Sequence, residues 1–292
     1  MYTDSEEKLG AALHDVRQNV IISTKSGGTD KKTVLAHIEE SLRRMQTDYI
    51  DLFQFHNPAV LPDPNDPDGP YAAALKMQQK GYIRHIGITN HRLRVARESI
   101  ESGAFETLQF PFCYLASDQD YDLVERCRQA DMGFIAMKGL SGGLLNNAEA
   151  CYAFMRQYDN VVPIWGIQHE WELDQWLELT ERDPGMTPEL EEVIRKDRQE
   201  LAGEFCRSCG YCLPCAAGID IPQAARMSAL LRRSPYQPYM SDEWHAKMHK
   251  IEECVHCDAC KSRCPYGLDT PALLQRMLAD YDAFYAVHHN DK

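Results

Sequence analysis

The sequence predicts two parts in series: an α/β part with a parallel sheet over residues 1–183 and a small all-α part over 206–292, joined by a helical linker at 184–205. Three observations predict this. Upstream, short apolar runs alternate with amphipathic helical stretches, the signature of βαβ units. Downstream, eight of the eleven cysteines fall in two tight runs. Around those runs the chain has helix-forming composition, as in ALLRR and EWHAKMHKIEE.

Six strands are expected in the first part: NVIIST (19–24), YIDLFQFH (49–56), HIGIT (85–89), TLQFP (107–111), FIAMK (134–138) and VVPIWG (161–166). Helices lie between them. In TVLAHIEESLRRM (33–45), Val34, Leu35, Ile38, Leu42 and Met45 make one apolar stripe. The Pro/Asp-rich stretch PAVLPDPNDPDGP (58–70) reads as a surface loop after the second strand, which either shapes substrate access or is a plain connection. Glu/Lys and Glu/Arg spacings support a helix in the linker.

The cysteine runs are Cys206, Cys209, Cys212 and Cys215, then Cys254, Cys257, Cys260 and Cys264. Two-residue gaps let one tight turn aim three thiolates inward, and a fourth must come from elsewhere. Structural zinc uses C-x2-C pairs and has no need of triplets, and disulfides require an oxidising compartment. The second run, CVHCDACKSRCP, resembles the C-x2-C-x2-C-x3-C-P spacing of bacterial ferredoxins. That resemblance implies two 4Fe-4S clusters with exchanged fourth ligands: Cys206, Cys209 and Cys212 with Cys264, and Cys254, Cys257 and Cys260 with Cys215. It implies an α-helical dicluster ferredoxin-like domain.

The two runs also read as a duplicated unit, because Gly218, Asp220 and Pro222 are echoed by Gly267, Asp269 and Pro271. Each Asp and Pro is expected to start a helix, the carboxylate as cap and Pro in the first turn. Ala216 departs from the echo, standing where the second unit has Pro265.

Several segments of the first part, in order, resemble the aldo/keto reductase family. YTDSEEKLG is similar to its catalytic-tyrosine segment, STKSG to its lysine segment, YIDLFQFH to its histidine strand, and HIGITNH with LQFP to its nicotinamide-binding strands. Singly, each has an ordinary structural explanation; the ordered set carries the resemblance. It implies a (β/α)8 TIM-type barrel and a nicotinamide cofactor, NAD(P)H. Tyr2 would be the general acid to a carbonyl oxygen, Lys25 would lower its pKa, and His56 would orient the substrate carbonyl. Asn90 and Gln109 would hold the nicotinamide carboxamide. The loop Leu140, Ser141, Gly142 and Gly143 would approach the pyrophosphate, with Gly166 and Gln168 also at the cofactor.

Two departures from that family pattern are visible. Six strands precede the cysteines where a full barrel has eight, so the barrel is expected to lack its first two strands together with the family's catalytic Asp. An internal start in a longer gene accounts for this better than a natural remnant, since Tyr2, Lys25 and His56 persist together. An opened sheet is expected to expose two strand edges, favouring poor expression or oligomerisation. The second departure is GIQHEWELDQW after the last strand, where the family places Lys or Arg for a 2′-phosphate. Gln168, Glu170 and Glu172 suit a ribose hydroxyl better, which favours NADH.

At 292 residues with 44% hydrophobic residues the chain is long enough for two domains. Its net charge of −13 argues against a general nucleic-acid or anionic-membrane surface. No apolar run approaches the roughly 20 residues of a bilayer span, and the first residues lack a signal core, so a cytoplasmic location is expected. Cys113, Cys127 and Cys151 read as buried or incidental thiols. The expected function is an iron–sulfur oxidoreductase acting on a small carbonyl or alcohol, with electrons passing between the barrel and the clusters through a flavin or a redox partner protein. The alternatives are an electron-transfer subunit with an inactive barrel, and clusters that only brace the linker.

Overall fold

The structure, a computed structural model, describes residues 4–201 and 205–289. They form two compact units. The first runs to Phe112 and adds Ala116–Met137 and Tyr158–Ile164. Its elements are α1 (Ser5–Leu13), β1 (Ser23–Ser26), α2 (Lys31–Met45), β2 (Ile50–His56), α3 (Pro70–Gln79), β3 (Ile83–Thr89), α4 (Leu93–Ser102), β4 (Thr107–Pro111), α5 (Asp118–Gln129), β5 (Gly133–Met137) and β6 (Val161–Pro163). Among the described residues the strands form one six-stranded sheet in sequence order, every neighbouring pair parallel, with β1 and β6 paired on one side only.

Parallel strands with helical crossovers are covered on both faces, and β2 accordingly buries Ile50, Leu52, Phe53 and Phe55 together. The helix α2 starts where Asp30 accepts from Thr33 N at 2.9 Å and stops at Gln46 in the left-handed region. Its buried face is Val34, Ile38, Ser41 and Met45. Ser41 sits in this apolar stripe because its hydroxyl donates to Glu6 Oε1 at 2.7 Å.

The first strand lies later than its apolar run suggests. His14–Asn19 is a 3-10 turn and β1 begins at Ser23, while Ile21 is 85% exposed. Arg17 causes the shift. It donates to Thr47 Oγ1, Val20 O and Tyr49 O at 2.9, 3.1 and 2.8 Å and pairs with buried Asp51 at 2.8 Å. Asp51 in turn accepts from Ile22 N at 3.0 Å, so side chains satisfy the backbone just ahead of the ladder. The last strand is also shorter than expected, ending at Pro163, which has no N–H to donate.

The second unit comprises Cys113–Leu115, Lys138–Gln157 and the chain from Trp165 onward. Its helices are α6 (Ala148–Met155), α7 (Glu170–Arg182), α8 (Pro188–Glu200), α9 (Ile221–Ala224), α10 (Met227–Arg233), α11 (Asp242–His249), α12 (Ala259–Arg263) and α13 (Thr270–His288). Met227, Leu231, Met248, Ile251, Leu273, Leu274 and Tyr281 form the core around the cysteine runs, against which Cys206, Cys212, Cys215, Cys254, Cys260 and Cys264 pack.

The helix α8, within the expected linker, buries Leu190, Ile194 and Asp197. Asp197 pairs with Arg233 and accepts from the Tyr114 hydroxyl, and Arg198 Nε donates to Tyr114 O at 2.7 Å. Burial, and after it Cys151 and Asp197, pushes the Tyr114 phenol far above its ordinary range. Asp269 caps α13 by accepting from Ala272 N at 3.4 Å, as the echo predicts. Asp220 makes no such bond at the start of α9, correcting that half of the expectation; this helix has only four residues. No described helix is long and apolar enough to cross a membrane.

Candidate functional site

The two cysteine runs share a backbone design. Ser208 and His256, each two residues after the first cysteine of its run, both take positive φ, 53° and 50°. Gly210 and Asp258, each directly after the second cysteine, do so as well, at 79° and 54°. Left-handed residues at matching places turn the chain between successive cysteines, and three of the four, Ser208, His256 and Asp258, are not glycine. The sequence echo is therefore also an echo in conformation.

Two cavities adjoin these turns. One is lined by Cys206, Cys209, Cys212 and Cys264, the other by Cys215, Cys254, Cys257 and Cys260, with Cys212 and Ile221 contributing to both. Each cavity thus gathers three thiols of one run and the last thiol of the other. All eight are free thiols. Burial pushes Cys206, Cys209 and Cys260 up and Cys212 up to about 12, with neighbouring cysteines adding to the rise. Converging half-buried thiols resist ionisation unless a positive core neutralises them, as iron in a cluster does. Ser208 N–H donates to Cys206 Sγ at 3.4 Å, a contact of the kind that tunes cluster potentials. The donor set fits two four-iron clusters.

The segment leaving β5 belongs to the second unit and is held by arginines at the two ends of α10, beside the first cysteine run. Lys138, Ser141, Gly142 and Gly143 have positive φ. Arg226, 7% exposed, donates through Nη1 to Gly142 O at 2.6 Å, Arg233 Nε donates to Leu144 O at 2.9 Å, and Lys138 Nζ reaches Ser208 O at 3.5 Å. Burial disfavours the charge on Arg226, and the proximity of Cys206 favours it. Leu140 and Ser141 lie in this same loop. Gly166 and Gln168 lie further on, before α7, where Gln168 N and His169 N donate to Glu172 Oε2 at 2.6 and 2.9 Å. A carboxylate therefore occupies the positive end of α7.

In the first unit, Lys25 on β1, His56 at the end of β2, Asn90 just after β3 and Gln109 on β4 lie toward the carboxyl ends of neighbouring parallel strands. Lys25 and Gln109 line a cavity of about 720 Å³ with Ser23, Thr24 and Ile164. Burial holds Lys25 below its ordinary range; burial first and then Lys25 do the same to His56. Asn90, fully buried, accepts from His91 N and Arg92 N at 2.9 and 2.8 Å and donates to Pro58 O at 2.9 Å. Gln109 Oε1 accepts from Gln54 Nε2 at 3.1 Å, and Gln54 Oε1 is a buried acceptor without a partner among the described residues. A primary amide carries two N–H bonds, and Asn90 spends one of them on Pro58 O. Tyr2 lies outside the described residues.

Residues 1–195 match the model of the aldo/keto reductase family, and residues 205–269 match a 4Fe-4S dicluster domain. The chain belongs to the aldo/keto reductase family.

Curated relatives include an aldo-keto reductase, YhdN, of Bacillus subtilis, 27% identical across 49% of this chain and 46% of its own. A methylglyoxal reductase, YeaE, of Escherichia coli is 29% identical across 58% of this chain and 64% of its own. The L-glyceraldehyde 3-phosphate reductase of Escherichia coli is 28% identical across 51% and 43%. The chain thus spans about half the length of the curated relatives it matches. Among solved structures, the aldo-keto reductase AKR11C1 from Bacillus halodurans shares the fold with a TM-score of 0.56 at 22% identity, covering 66% of this chain and 76% of that one.

This aldo/keto reductase chain therefore joins a parallel α/β sheet to a helical 4Fe-4S dicluster domain. Sequence reasoning missed Arg226, Arg233, Asp197 and Tyr114. Two adjacent arginines at the end of the otherwise apolar MSALLRR were the available signal, but the partners of Arg233 lie 33 to 89 residues away. Cys127 and Cys151 are buried as expected, and Cys113 is half-buried.

Proposed function

We propose that this chain is an iron–sulfur oxidoreductase that couples a nicotinamide-dependent carbonyl or alcohol reaction to electron transfer through two four-iron clusters. The observation carrying this reading is the hold of Arg226 and Arg233 on loop 138–145, with Lys138 of that loop reaching Ser208 in the first cysteine run. The aldo/keto reductase resemblance gives that same loop to the cofactor pyrophosphate. That loop and the cluster cysteines belong to one unit.

When bound, a nicotinamide supplies a hydride and each cluster a one-electron step, so two clusters together match the two electrons of one hydride. The chain's own residues prepare the site. His56 is held toward its neutral form by burial and by Lys25, leaving an imidazole that can orient a carbonyl by hydrogen bonding. Asn90 offers an amide hydrogen to a carboxamide oxygen from a position fixed by three backbone bonds. Tyr2, by the family resemblance, delivers the proton to the carbonyl oxygen.

Glu172 at the start of α7 disfavours a second anion there, which supports NADH over NADPH. The substrate class is a small carbonyl compound, for which methylglyoxal, named for one relative, is a suitable probe. A flavin or a redox partner would divide the hydride's electron pair into single electrons.

The test is binding of NADH and NADPH to cluster-loaded protein, followed by nicotinamide fluorescence. Tighter binding of NADH, weakened by substitution at Gly142, is expected. Absence of binding by either nucleotide overturns the reading. It would favour an electron-transfer subunit instead, a reading supported by the sheet whose outer strands each pair on one side among the described residues.

A further inference from the structure

Apart from the cysteines, the second unit brings together a second set of metal-ligating side chains. His245 and His249 stand four residues apart on α11, a spacing that puts both rings on one face of a helix. Asp282 approaches them from α13. The ligand atoms of the three lie within 4.8 Å of one another, and all three residues are half-buried. His249 Nε2 is 3.1 Å from Asp282 Oδ1. Two ligands on a tetrahedral zinc are separated by about 3.3 Å, given bonds of about 2.0–2.1 Å. The pair is thus already near a coordination edge.

Two more observations bear on a ligand. The other nitrogen of His249, Nδ1, lies 3.2 Å from Glu252 Oε1, the carboxylate–imidazole arrangement that orients histidine ligands toward a metal. The His245 ring is backed by Tyr285, with ring centroids 4.4 Å apart, and lies 4.4 Å from the His249 ring. Both helices are anchored in the core, α11 through Met248 and α13 through Leu274, Leu278 and Tyr281. The three ligands therefore come from supports that do not need to move.

We propose that His245, His249 and Asp282 form a site for a divalent first-row transition ion, with zinc as the probe. Two imidazoles and a carboxylate suit such an ion better than magnesium or calcium, which prefer all-oxygen sets. Three protein ligands leave a position for water, and the ion would clamp α11 to α13 just ahead of Cys254. This site is independent of the cluster and nucleotide reading above. It uses none of the eight cysteines.

The test is anaerobic calorimetric titration of cluster-loaded protein with zinc, with the cluster absorbance followed throughout. One equivalent is expected to bind. His249→Ala should abolish it, His245→Gln and Asp282→Asn should each weaken it at least 100-fold, and Glu252→Gln should weaken it by about 10- to 100-fold. No bound equivalent, or one unchanged by His245→Gln and Asp282→Asn, overturns the proposal and leaves His249 as an ion-pairing residue only. A readout that needs no variant is the zinc X-ray absorption edge of the wild-type holoprotein. Nitrogen and oxygen neighbours near about 2.0–2.1 Å support the site, whereas a sulfur shell near about 2.3 Å overturns it.

Discussion

Replacing Gly142 by alanine tests whether the β5 loop is held on the cluster domain. Gly142 has φ +67°, and a Cβ there would stand 2.5 Å from Arg226 Nη1 and 3.6 Å from Ser208 Cβ. Gly143 has φ +89° with nothing within 4 Å of its would-be Cβ, so Gly143→Ala is the internal control. Both substitutions incur a left-handed backbone penalty of about 1–2 kcal/mol. Only Gly142→Ala also displaces the guanidinium that donates to Gly142 O at 2.6 Å. That side chain is flexible, so the clash itself is relieved cheaply; what is lost is a hydrogen bond from a charged group, worth about 1.5–3 kcal/mol.

The difference between the two variants should therefore be about 1.5–3 kcal/mol. In amide hydrogen exchange of the 138–145 segment, measured anaerobically on cluster-loaded protein, it corresponds to about 10- to 150-fold less protection for Gly142→Ala. Equal loss of protection in both variants would refute the clasp.

Exchange of Cys264 for Ser should perturb the electron paramagnetic resonance signal of the cluster held by Cys206, Cys209 and Cys212, and Cys215→Ser that of the other; a change confined to the substituted run would contradict the exchanged ligation. Asp197→Asn removes the buried carboxylate that pairs with Arg233 and accepts from Tyr114, and should lower resistance to denaturant by about 3–5 kcal/mol, read by near-ultraviolet circular dichroism. His56 titrates below its ordinary 6.5 in the folded chain because of burial and then Lys25. The unfolded chain therefore takes up this proton first, so stability is unaffected above 6.5 and declines as pH falls from 6.5 through the lower folded value. His56→Gln should remove that part of the decline, and Lys25→Met should raise the ring's titration midpoint in nuclear magnetic resonance; an unmoved midpoint refutes the coupling.

Much of this architecture was legible because it rests on local pattern. The cysteine spacing requires no knowledge of distant contacts, and TLQFP and YIDLFQFH are buried strands whose boundaries follow their apolar runs. NVIIST misled because its apolar letters resemble a strand while its conformation is decided by Arg17, whose partners Thr47, Tyr49 and Asp51 are remote in sequence. The same limit hid the clasp: Arg226 is 84 residues from Gly142, and nothing local to either residue announces the other. His245 and His249 were readable as a helical pair, but Asp282 was not readable as their neighbour.

The most direct test of the central claim, that the nicotinamide site and the clusters form one redox path, is the anaerobic visible absorption spectrum of cluster-loaded protein before and after NADH. NADPH and a strong chemical reductant serve as comparisons, each with and without added flavin. NADH is expected to bleach the cluster bands, more completely than NADPH and faster when flavin is present. Bleaching by the chemical reductant alone would contradict it.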